Sequence, residues 1–494
     1  MTTVPGPAPL AGSAARPFDL LRVPILGGFL RRRWARAALQ APVFLVAVLM
    51  AVHALFGPQL APKNFGSLVT WVHFRGLVVL ALLCAGNLFC MACPFMFLRD
   101  LARRWAVPRW NWPRPLRNKL PAVILFAGVL FAYEWLSLWA DPWATGLLIV
   151  GYFAAALLVD LFFRKASFCK YVCPIGQFNF LGSTLSPFEI SVRDANVCGS
   201  CRTKDCITGR RGAATAQEPA GRVVQRGCEL GLFQPRKVGN LDCTFCLDCV
   251  HACPHDNVGL HARLPGEELV HEGPRSGAGD LARRTDWTLL IVVFVFGAVL
   301  NAFAMISPVY ALERAFSRLS GVENRGAVLG VLFGAALVAE PAVLLGGAAW
   351  CTRRAAAAGD SLLAIINRFS RSLVPMGFGV WLAHYGFHFF TGALTVVPVT
   401  QYAVHEATGA YLLGLPRWSL GGLPPAFVYP LELSFMVLGF GGSLLVGWRV
   451  ARTFAPSRAF RAYIPWASVA ALLFAAACWT MSQPMDMRVT FLAR

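Results

Sequence analysis

Residues 243–254 read CTFCLDCVHACP, and this short stretch determines how the rest of the chain is interpreted. Its four cysteines follow the spacing C-x2-C-x2-C-x3-C and precede a proline, which is the pattern of bacterial ferredoxins. In that pattern three thiolates ligate one [4Fe–4S] cubane and the fourth cysteine reaches a second cluster. A zinc ribbon would instead place two C-x2-C pairs well apart. The motif therefore predicts iron–sulfur clusters rather than structural zinc.

A looser set of cysteines lies upstream of this motif, with four residues before its third cysteine and no proline after its fourth: Cys198, Cys201, Cys206 and Cys228. Under the cross-over rule, two sets of four would each hold one [4Fe–4S] cluster. They are Cys198, Cys201, Cys206 with Cys253, and Cys243, Cys246, Cys249 with Cys228. If the upstream cysteines bind nothing, Cys253 would complete a single cluster instead.

Two further cysteine pairs form a weak internal repeat, FCMACPF at 89–95 and FCKYVCPI at 168–175. Each pair follows a hairpin of apolar segments and is followed by proline. Three interpretations remain open: a shared third cluster or other metal site, a redox or copper-handling set of thiols, and buried structural thiols. Nearby cations should lower the thiol pKa values and favour metal. The residues concerned are Cys90, Cys93, Cys169 and Cys173, with Arg99, Lys165 and Lys170 as the cations.

The composition indicates a polytopic membrane protein. Of 494 residues, 56% are hydrophobic and 14% are charged, against about 25% charged in ordinary soluble domains. About 20 apolar residues span a bilayer, and nine segments qualify. These segments are 37–56, 68–89, 120–139, 144–163, 286–306, 326–349, 373–395, 426–448 and 463–482.

The basic residues are distributed unequally between the two sides of the membrane. Short loops on the N-terminal side carry 21 lysines and arginines, whereas the opposite loops carry 7. The positive-inside rule places the N-terminus and residues 164–285 in the cytoplasm and the C-terminus outside. The net charge of +20 then reflects topology and anionic lipid, and nucleic acid is not an expected partner.

These observations predict an all-α polytopic membrane protein of about nine transmembrane helices with an inserted cytoplasmic two-cluster ferredoxin-like α+β domain. No cleavable signal peptide is expected, because three arginines precede the first apolar segment without a cleavage site behind it. The predicted division is a cytoplasmic tail, a four-helix core, the inserted domain, a fifth helix and a C-terminal four-helix region. Their bounds are 1–36, 37–163, 164–285, 286–306 and 326–482.

Ionisable residues inside a membrane are costly and therefore candidates for function. Four lie near the outer ends of the first three helices, where they suggest either a quinone head-group site, with Arg75 paired to Glu134, or an ion pair that reaches water. These four are His53, His73, Arg75 and Glu134. His384 and His388 share one face of the seventh helix and suggest a quinone or haem site, or hydrogen bonds to neighbouring helices. Haem is disfavoured, because one helix cannot supply both axial ligands.

Four arginines, Arg210, Arg211, Arg222 and Arg226, lie in the insertion between Cys206 and Cys228. They are consistent with docking of an acidic electron carrier. They are equally consistent with a solvated positive-inside loop.

The two membrane-edge pairs and the two-cluster loop together make the chain resemble the NapH/NosR-type polyferredoxin membrane proteins, with CcoG (FixG/RdxA) as a cousin. The resemblance covers about residues 35–306. It implies electron transfer between a quinol, flavin or soluble donor and a partner in respiration or metal-centre assembly. The chain departs from the family in lacking the flavin domain of NosR and the soluble C-terminal domain of CcoG. It also has four further helices from residue 326 that the resemblance does not explain.

The expected function is therefore membrane-bound iron–sulfur electron transfer in a bacterial cytoplasmic membrane, as a subunit of an oxidoreductase. Electrons would pass between a cytoplasmic or quinone-pool donor and a respiratory partner. The expected protein partners are a ferredoxin, a flavoprotein or a respiratory subunit. One alternative is a copper reductase for metal-centre assembly, as in CcoG. A second alternative is a non-enzymatic membrane anchor for a soluble oxidoreductase.

Overall fold

The computed structural model describes residues 18–103, 105, 108–213, 223–485 and 488. Within these ranges each of the nine predicted apolar segments contains a helix. In chain order, α1 to α9 are Ala35–Phe56, Phe65–Ala85, Leu120–Trp135, Pro142–Phe162, Thr285–Phe303, Arg325–Ala356, Val374–Gly392, Pro425–Phe454 and Pro456–Ser482.

Seven of these helices, within the described ranges, are long and apolar enough to cross a membrane. The exceptions are α3, which has 16 residues, and α7, in which the polar His384 and His388 interrupt an otherwise apolar sequence. The chain is thus a mostly helical, multi-pass membrane protein. The count of nine spans stays a prediction.

Helices α5 and α7 lie at the centre of the bundle. Most of α5 is buried inside the protein, whereas α1 and α4 direct most of their side chains outward, as helices facing lipid do. Trp381 of α7 is fully buried, and its indole nitrogen donates to the carbonyl oxygen of Phe294 in α5 at 2.8 Å. Helix α8 approaches α7 closely at Gly379, where an added Cβ would lie 2.7 Å from the Phe435 carbonyl oxygen. Small residues permit such close helix packing in membranes.

The inserted segment, residues 164–285, connects α4 to α5 and contains four strands in its described part. They are β1 Phe188–Val192, β2 Arg210–Arg211, β3 Val223–Gln225 and β4 Val258–Ala262. β1 pairs antiparallel with β4, with Ile190 opposite Leu260, and β2 pairs antiparallel with β3. The short helices of this segment are Pro174–Gly182, Ala195–Ser200, Asp205–Thr208 and Asp248–Ala252. Its treatment as a separate cytoplasmic domain stays a prediction.

The two membrane-edge motifs have matching local structures. After Cys93 the chain begins helix Pro94–Ala102, and after Cys173 it begins helix Pro174–Gly182. Proline suits the first position of a helix because its missing N–H needs no partner there. The repeat detected in the sequence is therefore also a repeat in structure.

The N-terminal segment packs against the inserted segment. Residues 1–17 lie outside the described residues, but helix Pro24–Leu30 follows them, and both Leu21 and Leu30 are buried. The Asp19 carboxylate accepts a hydrogen bond from the Leu260 amide in β4 at 3.2 Å. The described end of the predicted tail is therefore folded onto the inserted segment.

Four further helices, of 4 to 14 residues, connect or cover the bundle. They are Leu88–Met91, Ser307–Ser320, Leu362–Phe369 and Val396–Thr408.

Candidate metal centres

The four membrane-edge cysteines lie together, although 83 residues separate the first and last of them in sequence. They line one cavity, together with Met96 and Thr244. The four cysteines are Cys90, Cys93, Cys169 and Cys173, and all of them are buried. Since Thr244 belongs to the ferredoxin motif, that motif contacts the membrane-edge cavity directly.

Several donors point at the sulfur atoms of this cavity. The Gly176 amide donates to Cys173 Sγ at 3.1 Å, and the Asn179 side-chain amide donates to Cys90 Sγ at 3.3 Å. The Tyr152 hydroxyl lies 3.7 Å from Cys173 Sγ. A thiolate ligand is stabilised by such donors, whereas a neutral thiol accepts hydrogen bonds only weakly. The donor set therefore fits metal-bound thiolates.

The expectation that nearby cations ease ionisation of these thiols is wrong for the free thiols. Burial, together with the neighbouring Cys93, raises the pKa of Cys173 to about 12. Burial also raises the pKa of Cys93, although Arg36 and Arg99 act in the opposite direction. The charge of Arg99 is already paired with Asp100 and Glu229, at 2.7 Å and 3.1 Å. Desolvation therefore dominates, and a metal would be needed to hold these thiols ionised.

The second set of four cysteines lines another cavity: Cys198, Cys201, Cys206 and Cys253. This grouping is the one that the cross-over rule predicts. Asn257 supplies two donors, from its side-chain amide to Cys198 Sγ at 3.2 Å and from its backbone amide to Cys253 Sγ at 3.3 Å. The arrangement fits thiolate ligands, and cluster binding here stays a prediction.

The third set comprises Cys243, Cys246, Cys249 and Cys228. Burial raises the pKa of Cys249, and the other three thiols are close enough to raise it further through their charges. The loop between Cys243 and Cys249 curves because Phe245 and Leu247 adopt positive φ angles of 55° and 61°. The Leu232 amide donates to Cys228 Sγ at 3.4 Å. The structure thus brings the irregular Cys228 to the three regularly spaced thiols.

Within the described ranges, no group of three or more His, Cys, Asp or Glu side chains is arranged to hold a single metal ion.

A buried network of ion pairs, which sequence reasoning did not identify, joins the membrane-edge motif to the inserted segment. Arg36 of α1 contacts both Asp100 and Asp248 at 3.3 Å. Arg103 pairs with Glu229 at 2.7 Å. The members are spread over α1, α4, residues 94–103 and the inserted segment, and no spacing pattern in the sequence connects them. The remaining members are Arg99, Asp160 and Arg226.

The membrane residues proposed as a quinone head-group site do not form the predicted pair. Glu134 binds Arg488 at 2.8 Å instead of Arg75. The Arg75 guanidinium lies over the rings of Trp71 and Tyr133 at 4.4 Å and 4.3 Å. The prediction that Arg75 pairs with Glu134 is therefore wrong, because the C-terminal Arg488 reaches that carboxylate.

The two histidines of the first helices lie in different surroundings. His53 Nε2 is 3.5 Å from the Glu406 carboxylate, whereas His73 Nε2 donates to the Ala393 carbonyl oxygen at 3.3 Å. The two histidines have no contact partner in common in these interactions. Their assignment to one quinone site stays a prediction.

His384 and His388 are buried neighbours on α7, with ring centroids 5.2 Å apart. His384 Nε2 lies 3.1 Å from Met305 Sδ in the segment after α5. Their remaining nitrogens, His384 Nδ1 and His388 Nε2, have no hydrogen-bond partner among the described residues. A quinone at this position stays a prediction.

The arginines of the insertion do not act as one surface. Arg226 pairs with Asp100 at 3.0 Å inside the ion network, and Arg222 lies outside the described residues. Arg210 is half-buried in β2, whereas Arg211 is exposed.

The chain is similar in sequence to several known proteins over part of its length. An uncharacterized protein of Methanocaldococcus jannaschii is 29% identical over 185 residues, which are 36% of this chain and 64% of that protein. The ferredoxin-type protein NapH of Escherichia coli K12 is 27% identical over 254 residues, 47% of this chain and 83% of NapH. The regulatory protein NosR of Pseudomonas aeruginosa is 26% identical over 227 residues, 42% of this chain and 29% of NosR.

No protein-family model matches the chain, and no solved structure matches it significantly. The chain spans less than two thirds of the archaeal relative and of NosR. The similarities nevertheless confirm the resemblance to NapH/NosR-type polyferredoxin membrane proteins. The chain is thus similar to ferredoxin-type membrane proteins of electron transport.

Proposed function

We propose that this membrane electron-transfer protein holds two [4Fe–4S] clusters in the inserted segment and a third iron–sulfur centre at the membrane edge. The observation that carries the proposal is the gathering of twelve cysteines into three sets of four, each assembled from distant parts of the sequence. When bound, such clusters supply one-electron redox chemistry, while the protein positions and insulates them.

The ligand assignment follows the three sets. Cys198, Cys201, Cys206 and Cys253 would hold one cluster. Cys228, Cys243, Cys246 and Cys249 would hold the second, and Cys90, Cys93, Cys169 and Cys173 the third. Amide donors to sulfur from Asn257, Leu232, Asn179 and Gly176 support the assignment, because hydrogen bonds to ligand sulfur tune reduction potential.

The contact between the ferredoxin motif and the membrane-edge cavity supports transfer between the inserted segment and the membrane. Thr244, the neighbour of Cys243, lines the cavity of the membrane-edge thiols. Arg36 spans the same junction through Asp100 and Asp248. These contacts join the two sites directly. The protein's donor or acceptor would be a ferredoxin, a flavoprotein or a respiratory subunit, with quinone as a candidate in the membrane.

The proposed orientation places the N-terminus and the inserted segment in the cytoplasm of a bacterium and the C-terminus outside. The excess of lysine and arginine in the loops on the N-terminal side supports it. The membrane-edge thiols then lie at the cytoplasmic face, on the same side as the inserted segment.

A copper-handling function is the second candidate, and one contact favours it. Met96 lines the membrane-edge cavity, and its thioether sulfur lies 3.3 Å from Cys169 Sγ. Soft thiolate and thioether ligands select Cu(I). In that case the membrane-edge thiols would hold copper as substrate, and the clusters of the inserted segment would serve its reduction.

The double variant Cys93→Ser/Cys173→Ser separates the candidates, with Cys351→Ser, an exposed thiol outside the three sets, as the matched control. Electron transfer predicts that the double variant keeps about eight irons but loses reduction of quinone or of a partner. Copper handling predicts stoichiometric, thiol-dependent copper binding that the double variant abolishes. If the double variant keeps the electron flow and the iron count of the wild type, the membrane-edge centre has no role in electron transfer. That result would favour a membrane anchor without redox function.

A further inference from the structure

The three thiol sets differ in how closely a soluble protein can approach them. The four membrane-edge cysteines are all buried, and in the set around Cys228 only Cys246 is partly exposed. In the Cys198 set, by contrast, three of the four are partly exposed: Cys198, Cys201 and Cys253. The neighbouring Pro254 and His255 are exposed as well. The cavity of the Cys198 set is therefore the point where a soluble partner comes nearest to the thiols.

The exposed charges of the inserted segment are strongly unequal. Among its described residues, seven exposed side chains are cations and two are carboxylates. The cations are Arg164, Lys165, Arg202, Lys204, Arg211, Arg236 and Arg283, and the carboxylates are Asp194 and Asp256.

Three of these cations flank the cavity of the Cys198 set, and we call them the cationic rim. Lys204 lines the cavity, Arg202 follows Cys201, and Arg236 follows Pro235, which also lines it. None of the three forms an ion pair within the part of the chain that the structure describes. The Lys204 ammonium lies over the face of the Phe233 ring, 5.9 Å from its centroid.

The nearby carboxylates only partly offset the cationic rim, because Asp205, which also lines the cavity, is one carboxylate against three cations. Asp256 is already paired with Arg31 and Arg193, at 3.3 Å and 3.1 Å. The Asp194 carboxylate accepts a hydrogen bond from the Asn196 amide at 2.8 Å and caps a helix. The cationic rim therefore keeps a positive electrostatic potential around the cavity, which can attract an external partner.

The cationic rim is also distinct in sequence from the cations expected at the bilayer surface. Arg164 and Lys165 follow α4 directly, and Arg283 lies two residues before α5. These positions suit anionic lipid headgroups. Arg202, Lys204 and Arg236 are each more than 35 residues from the end of either helix.

We propose that the cationic rim docks an acidic soluble protein that carries single electrons. Complementary charge steers such a partner to the surface and orients it over the partly exposed thiols. The partner's role as an electron carrier rests on the proposed function, which this proposal extends by naming a partner and its docking site. The docking itself depends only on the surface charges.

The test is a binding measurement with an acidic plant-type ferredoxin as the probe, using the full chain in nanodiscs of neutral phosphatidylcholine. Affinity is measured at low and at physiological ionic strength for the wild type and for Arg202→Glu/Lys204→Glu. Arg283→Glu is the matched charge reversal away from the cavity, and Arg202→Lys/Lys204→Arg preserves the charge. Iron is counted in every preparation.

The proposal predicts that wild-type affinity falls as salt screens the charges. The double reversal should weaken binding at low salt by about tenfold or more, while Arg283→Glu and the charge-preserving variant stay within about twofold. Equal affinity of the double reversal and the wild type would overturn the proposal, as would salt-independent binding or equally strong binding of a basic cytochrome c. If the preparations contain no iron but ferredoxin binding still depends on charge, the proposed clusters are refuted and the proposed docking surface is supported.

Discussion

The guanidinium of Arg36 lies 3.3 Å from the carboxylate of Asp248, which joins the first membrane helix to the ferredoxin motif. Asp248 lies between Cys246 and Cys249, and the same guanidinium contacts Asp100 at 3.3 Å, seven residues after Cys93. One side chain therefore connects two thiol sites that are far apart in sequence. The junction between the inserted segment and the membrane helices is an ion-paired interface.

Replacement of Arg36 by Gln should destabilise this interface. The substitution leaves Asp248 buried without its ion-pair partner, and breaking a buried pair from one side costs about 3–5 kcal/mol. Thermal unfolding in detergent, with limited proteolysis of the inserted segment, measures the loss. Arg283→Gln is the control, because its pair with Asp280 at 3.6 Å involves an arginine side chain that is 88% exposed and is worth about 0–1 kcal/mol. Equal effects of the two variants would contradict the role given to Arg36.

Single serine replacements test the cross-over of ligands. Cys246→Ser should remove one cluster signal, and Cys253→Ser should damage the other, because the two thiols lie in different sets of four. Electron paramagnetic resonance of the dithionite-reduced variants, with iron counts, distinguishes the signals. Loss of the same signal in both variants, with the other spared, would show that the assignment is wrong.

Two asparagines allow the sites to be tuned separately. Asn257→Leu removes a side-chain donor to Cys198 Sγ at 3.2 Å, and Asn179→Leu removes one to Cys90 Sγ at 3.3 Å. Hydrogen bonds to ligand sulfur raise the reduction potential, so each variant should lower the potential of its own centre at an unchanged iron count. Potentiometric titration followed by paramagnetic resonance measures the shifts. A shift of the other centre in either variant would argue against these two separate sites.

The ion pair between Glu134 and Arg488 should stabilise the membrane region. Glu134→Leu leaves Arg488 buried without a carboxylate, which costs about 3–5 kcal/mol. The double variant Glu134→Leu/Arg488→Met removes both charges and should recover most of that loss. Unfolding of the single and double variants in detergent provides the comparison. A neutral effect of Glu134→Leu alone would contradict the pairing.

Local features of the sequence predicted much of the fold and of the candidate site. Among the described residues, each of the nine predicted apolar segments contains a helix, because a bilayer-spanning segment must be long and continuously apolar. The spacing of Cys243, Cys246, Cys249 and Cys253 predicted two sets of ligands, since cluster geometry restricts the spacing of thiolates.

Features that depend on distant pairing could not be predicted in this way. Glu134 and Arg488 are 354 positions apart, and no periodicity reports such a contact, so Arg75 was an equally reasonable partner. The pKa of the Cys93 thiol was misjudged for a related reason. Adjacency to Arg99 was visible in the sequence, but burial and the carboxylates already paired with that arginine were not.

Iron and acid-labile sulfide counts of the purified protein, with the paramagnetic resonance spectrum of its reduced form, test the central claim most directly. Three centres predict about twelve irons and about twelve sulfides per chain, and two clusters alone predict about eight of each. Counts near twelve would support the full proposal, and counts near eight would remove the membrane-edge centre from it. Zinc without labile sulfide would contradict the account of this protein as an iron–sulfur electron carrier.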